Sequence, residues 1–166
     1  MLKQLILENW KSFRYAELPI DSLTILIGTN ASGKSNVVEG LEFLQRIIRG
    51  EDIEAALAGD KTLPSIRGGV EWAARKPETQ FTLKAILQGE DENTDYLYSI
   101  TVQTKPVVQV LQERIESKKN DVHLLEEILI NDTKSEKSFF PELKILFQKN
   151  KLHSDILNKV NNKLKN

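Results

Sequence analysis

The 166 residues contain no cysteine, so disulfides and cysteinyl metal sites are excluded, and the usage fits a reducing, cytoplasmic setting. Net charge is almost absent: 23 basic residues stand against 24 acidic ones, leaving −1. The molecule as a whole therefore has no electrostatic bias toward nucleic acid or an anionic membrane. No apolar run approaches the roughly 20 residues needed to span a bilayer. The opening "MLKQLILENW" has neither the long apolar core nor the small-residue cleavage site of a signal peptide. Only two histidines occur, His123 and His153, each alone on a predicted helix and most simply a surface residue. Hydrophobic residues make up 40% of the chain, enough for one ordinary globular core.

What is present is concentrated in one stretch, "LTILIGTNASGKSNVVEGL", residues 23–41. Leu23, Thr24, Ile25, Leu26 and Ile27 form a nearly continuous apolar run, as expected of a strand covered on both faces. Gly28, Gly33, Lys34 and Ser35 then fall at the spacing G-x-x-x-x-G-K-[ST] of a phosphate-binding loop. The chemistry requires these types. Glycines allow backbone angles and close approaches that a β-carbon blocks. Amides of the loop and of the following first helical turn can converge on phosphate, helped by the helix dipole. Lys34 supplies a compact cation for the β- and γ-phosphates, and Ser35 a hydroxyl for Mg²⁺. The bare pattern arises by chance in roughly one chain in two hundred of this length. A buried strand before it and an amphipathic helix after it reduce that further. The ligand expected is ATP with Mg²⁺, bound through Gly28, Asn30, Ala31, Ser32, Gly33, Lys34, Ser35 and Asn36.

Around the loop, "LKQLILE" and "FRYAELPI" read as strands, with Pro19 limiting the second to an edge or standing at its last residues. Val37, Leu41, Leu44 and Ile48 repeat with helical spacing, and Gly50 is a stop. Residues 51–69 read as a surface connection. "FTLKAIL", "YLYSITV" and "VVQVLQERI" predict an antiparallel meander, with the acidic turn "QGEDENTD" between the first two. From Asp121 onward a helical pattern is expected. Its eight lysines and seven acids nearly balance, which favours a solvated helix face over a nucleic-acid arm. The division is therefore a lobe over 1–116 and a helical segment over 117–166.

The loop "GTNASGKSN", with Asn30, Ser32 and Asn36 around the minimal pattern, resembles that of ABC-type ATPase heads. Within these it is most similar to the branch of SMC proteins, RecF, OLD-family nucleases and related "AAA family" ATPases. "LILENWKSFRYAEL" resembles that branch's opening strand and turn through Asn9, Lys11, Ser12 and Phe13, with Trp10 replacing the usual Phe. "SIRGGVEW" resembles its segment after the first helix. The resemblance spans roughly 1–116. It implies an α/β P-loop NTPase fold: the first lobe of an ABC-type head, a mixed sheet with antiparallel strands. It adds Lys11, Ser12 and Arg67 as candidates for contacts at the nucleotide. It implies heads clamped in pairs by ATP, acting in DNA repair, chromosome maintenance or defence, with DNA a partner of the complete protein and no membrane role.

The family's hydrolytic parts are not found. The acid pairs Glu51-Asp52, Glu90-Asp91 and Glu126-Glu127 do not follow an apolar strand, and no L-S-x-G-[EQ] signature occurs. The catalytic acid is unassigned. An excised piece, a truncated product and a subunit completed by another chain all fit. Two other functions were weighed. One is an autonomous nucleotide-binding or regulatory module without catalysis. The other, a small kinase or GTPase, lacks a lid arginine cluster and an "NKxD" base-reading motif. Trp10, Phe13 and Tyr15 are the aromatic surfaces open to a base, with core or sheet packing the simpler role for each.

Overall fold

A computed structural model describes residues 1–89, 93–119 and 125–131, with side chains through residue 116. Six strands form one sheet in the order β2-β1-β3-β4-β5-β6: β1 Leu2–Trp10, β2 Phe13–Pro19, β3 Gln80–Gln88, β4 Thr94–Gln103, β5 Gln109–Lys119 and β6 Leu125–Asn131. Two helices accompany it, α1 Lys34–Ile48 and α2 Ile53–Ala58.

The alternation read from the sequence dictates which face is buried. Phe81, Leu83 and Ala85 of β3 and Tyr98, Ile100 and Val102 of β4 point into one core with Leu5, Leu7 and Trp10 of β1. Val37, Phe43, Leu44 and Ile47 give α1 the stripe that covers this face. At the centre the rings of Trp10, Phe43 and Phe81 lie 4.8 to 5.9 Å apart, tilted or edge-on. The Trp10 indole N–H donates to the Asn36 carbonyl at 2.7 Å, fixing β1 to the start of α1 through a bond phenylalanine could not make. Trp10→Ala removes ring and bond together, and a loss of about 3–5 kcal/mol is expected in denaturant unfolding. A loss under about 1 kcal/mol would contradict this packing.

As expected, β2 is an edge strand that ends at Pro19, and the meander β3-β4-β5 follows the predicted segments. Helix α1 stops at Gly50 in a Schellman arrangement, with Gly50 N–H bonded to Ile47 O and Glu51 N–H to Arg46 O.

Four expectations are corrected. The sheet is not mixed: every pairing among the described strands is antiparallel. Residues 23–27 form no strand there, and Leu23, Ile25 and Ile27 are 78%, 70% and 87% exposed. The chain leaves the sheet where Ile20 N–H bonds Lys3 O, then turns through Asp21 and Ser22, so no described strand lies beside the apolar run. Residues 51–69 are more than a surface connection, because Ile53, Ala56, Leu57 and Ile66 are buried. Finally, Leu125–Asn131, expected as helix, pairs with β5 as a strand. In a run that short, an available edge outweighs local helical preference. The helices expected over 132–166, with His153, lie outside the described residues, as do His123 and Glu90-Asp91.

Candidate phosphate-binding loop

The loop turns sharply into α1. Ala31 and Gly33 both have positive φ, 65° and 98°. At Gly33 a side chain would be excluded twice: by the angle, and by the Phe13 ring, which an added Cβ would meet at 2.6 Å. Phe13 therefore acts as a floor for the loop rather than as a surface for a ligand.

The first amides of α1, at Lys34, Ser35 and Asn36, have no intrahelical acceptor by geometry. Gly33 provides no side-chain cap and no acidic residue lies in the first turn, so among the described residues neither source supplies an anion to the positive end of the helix. Lys34 folds back over the loop, its ammonium donating to the carbonyls of Gly28 and Thr29 at 2.7 Å each and to Ser32 Oγ at 3.4 Å. Ser35 and Asn30 are exposed beside it. This donor set fits a phosphate chain. The described residues hold no cluster of three or more His, Asp or Glu, and the Ser35 hydroxyl is the oxygen the loop motif offers to Mg²⁺.

Asn36 links the outlying candidates. Its Nδ2 donates to Ser12 Oγ at 2.7 Å, and its Oδ1 accepts from Arg67 Nη2 at 2.7 Å. Lys11, in the β1–β2 turn at φ 51°, donates from Nζ to Arg67 O at 2.6 Å, and its N–H bonds Ala73 O at 2.8 Å. Such a φ is uncommon without glycine, and these bonds hold it. Glu39 on α1 balances the charge, with Oε2 2.6 Å from Lys11 Nζ, out of hydrogen-bonding alignment, and Oε1 3.6 Å from Arg67 Nε. Glu39 was not singled out in the sequence. Its position one and a half turns into α1 carried no motif.

The three aromatic candidates part company. Trp10 is core, Phe13 supports Gly33, and Tyr15 stands on the edge strand with its hydroxyl donating to Glu17, which raises its pKa. In their place a cavity of about 600 Å³ opens beside Ser12 and Asn36. Its lining also includes Trp72, Arg75 and Lys76, which motif reasoning passed over. A tryptophan close after "IRGG" was the available signal. Lys76 Nζ lies 4.0 Å from the Trp72 ring centroid and 3.1 Å from Glu71 Oε1, and that hydrogen bond lowers the Glu71 pKa.

A family model described as an AAA ATPase domain matches residues 1–166. One similar solved structure comes from work on ATP-driven dimerization and DNA-stimulated activation of SMC ATPases. It is 17% identical, with a TM-score of 0.45 over 89% of this chain and 77% of that one. Another is the recombination mediator protein RecF with ATP, 15% identical, with a TM-score of 0.43 over 80% of this chain and 27% of RecF. No curated protein sequence matches. Matched along its whole length, the chain belongs to the AAA ATPase domain family.

Proposed function

We propose that this chain is the ATP-binding portion of an SMC/RecF-like ATPase and holds Mg-ATP at residues 28–36. The observation that supports it is the uncapped start of α1 behind Gly33, with the Lys34 ammonium folded over the loop. In this reading the loop amides and Lys34 take the phosphates, and Ser35 completes the shell of a metal that arrives with them. Ser12 and Arg67 are hydrogen-bonded to Asn36, Lys11 is bonded to the Arg67 carbonyl, and in this reading the Arg67 side chain, 68% exposed, contacts phosphate. Hydrolysis then depends on parts brought by a head-to-head copy or by a chain supplying a further lobe. Work on DNA, in repair, chromosome maintenance or defence, belongs to that assembly, and a cytoplasmic setting accords with the lack of cysteine.

Isothermal titration of the chain with ATP, with and without Mg²⁺, tests the reading. Saturable binding that needs the triphosphate and strengthens with Mg²⁺ is expected. No heat at millimolar ATP would overturn it, leaving neither the catalytic nor the purely regulatory form of nucleotide binding standing.

A further inference from the structure

We infer that the cavity beside the loop takes the nucleobase, with the Trp72 indole as its stacking platform; this rests on the nucleotide reading above. The cavity is lined by Ser12 and Asn36, at the open end of α1, and also by Trp72 and Lys76. At about 600 Å³ it is of the size usual for small-molecule sites. Asn36 belongs both to this lining and to the proposed phosphate site, which sets the cavity next to that site.

The indole is exposed yet held. Trp72 is 57% exposed, and its backbone N–H bonds Gly68 O at 3.3 Å. Gly68 has φ +82°, and an added Cβ would sit 2.6 Å from Trp72 Cβ and 2.9 Å from Cγ, so only glycine lets this backbone lie against the side chain. The Lys76 ammonium over the ring pins it further. A rigid aromatic surface bordering a cavity loses little freedom when a second ring stacks on it.

The charges around it argue for a ring rather than for another anion. Lys11 and Arg67 share Glu39, and Lys76 is paired with Glu71. Three of the cavity's four lining cations, Lys11, Arg67 and Lys76, thus already have an acidic partner, while Trp72 keeps more than half of its surface exposed. Stacking reads ring area more than hydrogen-bonding edges. ATP and GTP should therefore bind alike, CTP and UTP more weakly, and tripolyphosphate most weakly.

The chain's two tryptophans give a direct test, since Trp10 is fully buried and Trp72 is not. Tryptophan fluorescence would be followed during titration with Mg-ATP and with Mg-tripolyphosphate, in the parent chain, Trp72→Leu and Trp72→Phe. Quenching by ATP is expected in the parent and not in Trp72→Leu. ATP affinity in Trp72→Leu should fall about ten- to hundredfold, toward that of tripolyphosphate. Tripolyphosphate binding should not change, and Trp72→Phe should recover part of the loss. Lys34-dependent ATP binding of unchanged affinity in Trp72→Leu would overturn the base assignment and leave the phosphate loop intact. Equal loss of tripolyphosphate affinity would also overturn it, by showing that Trp72 acts on the loop. Absence of binding by either ligand would remove the loop reading and this one with it.

Discussion

Lys34→Ala should reduce ATP affinity about a hundredfold while the melting midpoint barely moves. The side chain contributes nothing to the buried core, and its partners are two loop carbonyls and a hydroxyl at an exposed position. Water can satisfy those acceptors once the ammonium is gone, so the cost to folding is within about 0.5 kcal/mol, as for most surface changes. Binding is different. A hydrogen bond to a charged partner contributes about 1.5–3 kcal/mol, and Lys34 would exchange its carbonyls for phosphate oxygens of full charge. Calorimetric titration and a thermal melt on the same preparation measure both halves. Unchanged affinity would mean that the loop does not hold phosphate.

The second large effect is on the chemical step. The chain alone is expected to turn ATP over at a rate near background, whatever its concentration, and to recover only when a polypeptide with Walker B and signature motifs is added. Holding phosphate through Lys34, loop amides and a Ser35-bound metal stabilises ground and transition states together, which does not accelerate hydrolysis. Acceleration needs a carboxylate to orient water in line with the γ-phosphate and an opposing group for the developing charge. No carboxylate lines the cavity beside the loop among the described residues. Glu39, on the nearby face of α1, is committed to Lys11 and Arg67. Glu51 and Asp52 sit past the other end of that 15-residue helix, about 22 Å along its axis. A phosphate-release assay with Lys34→Ala as the contamination control decides it. Lys34-dependent turnover by the chain alone would show that a catalytic acid has gone unrecognised.

The parts of the fold that were legible are those where local pattern and long-range packing agree. Alternation in β3 and β4 and the stripe of α1 each have one reading, and Pro19, which allows an edge or a strand end, meets both in β2. The run at 23–27 had one reading too, a strand covered on both faces, but a strand also needs a neighbour, and composition says nothing about whether one is at hand. The segment "LEEILIN" reads as helix from its local pattern, and pairing with the edge of β5 makes it a strand instead. Ile53, Ala56 and Leu57 do stand at i, i+3 and i+4, a pattern too short to separate from a connection before its burial is known.

The loop was legible because its motif encodes backbone geometry directly: Gly33 is needed by its φ and by Phe13. Asn36 was legible as part of the extended motif, though not its two bonds, which join residues 24 and 31 positions away. Glu39 and Trp72 belong to no motif. Their proximity to Lys11, Arg67 and Asn36 is created by the meeting of α1, the β1–β2 turn and the stretch around Gly68, and a linear text does not record it.

The open run at 23–27 also bears on how the molecule behaves in a crowded solution. Leu23, Ile25, Leu26 and Ile27 combine high β-propensity with no charge and no proline, the composition of segments that seed intermolecular sheets. Asp21 on one side and Lys34 on the other are the nearest charges, too far apart to act as gatekeepers for the middle of the run. Colloidal stability and expression yield are thus tied to this short stretch beside the loop, and a chaperone patrolling for extended apolar peptide would find its handle there.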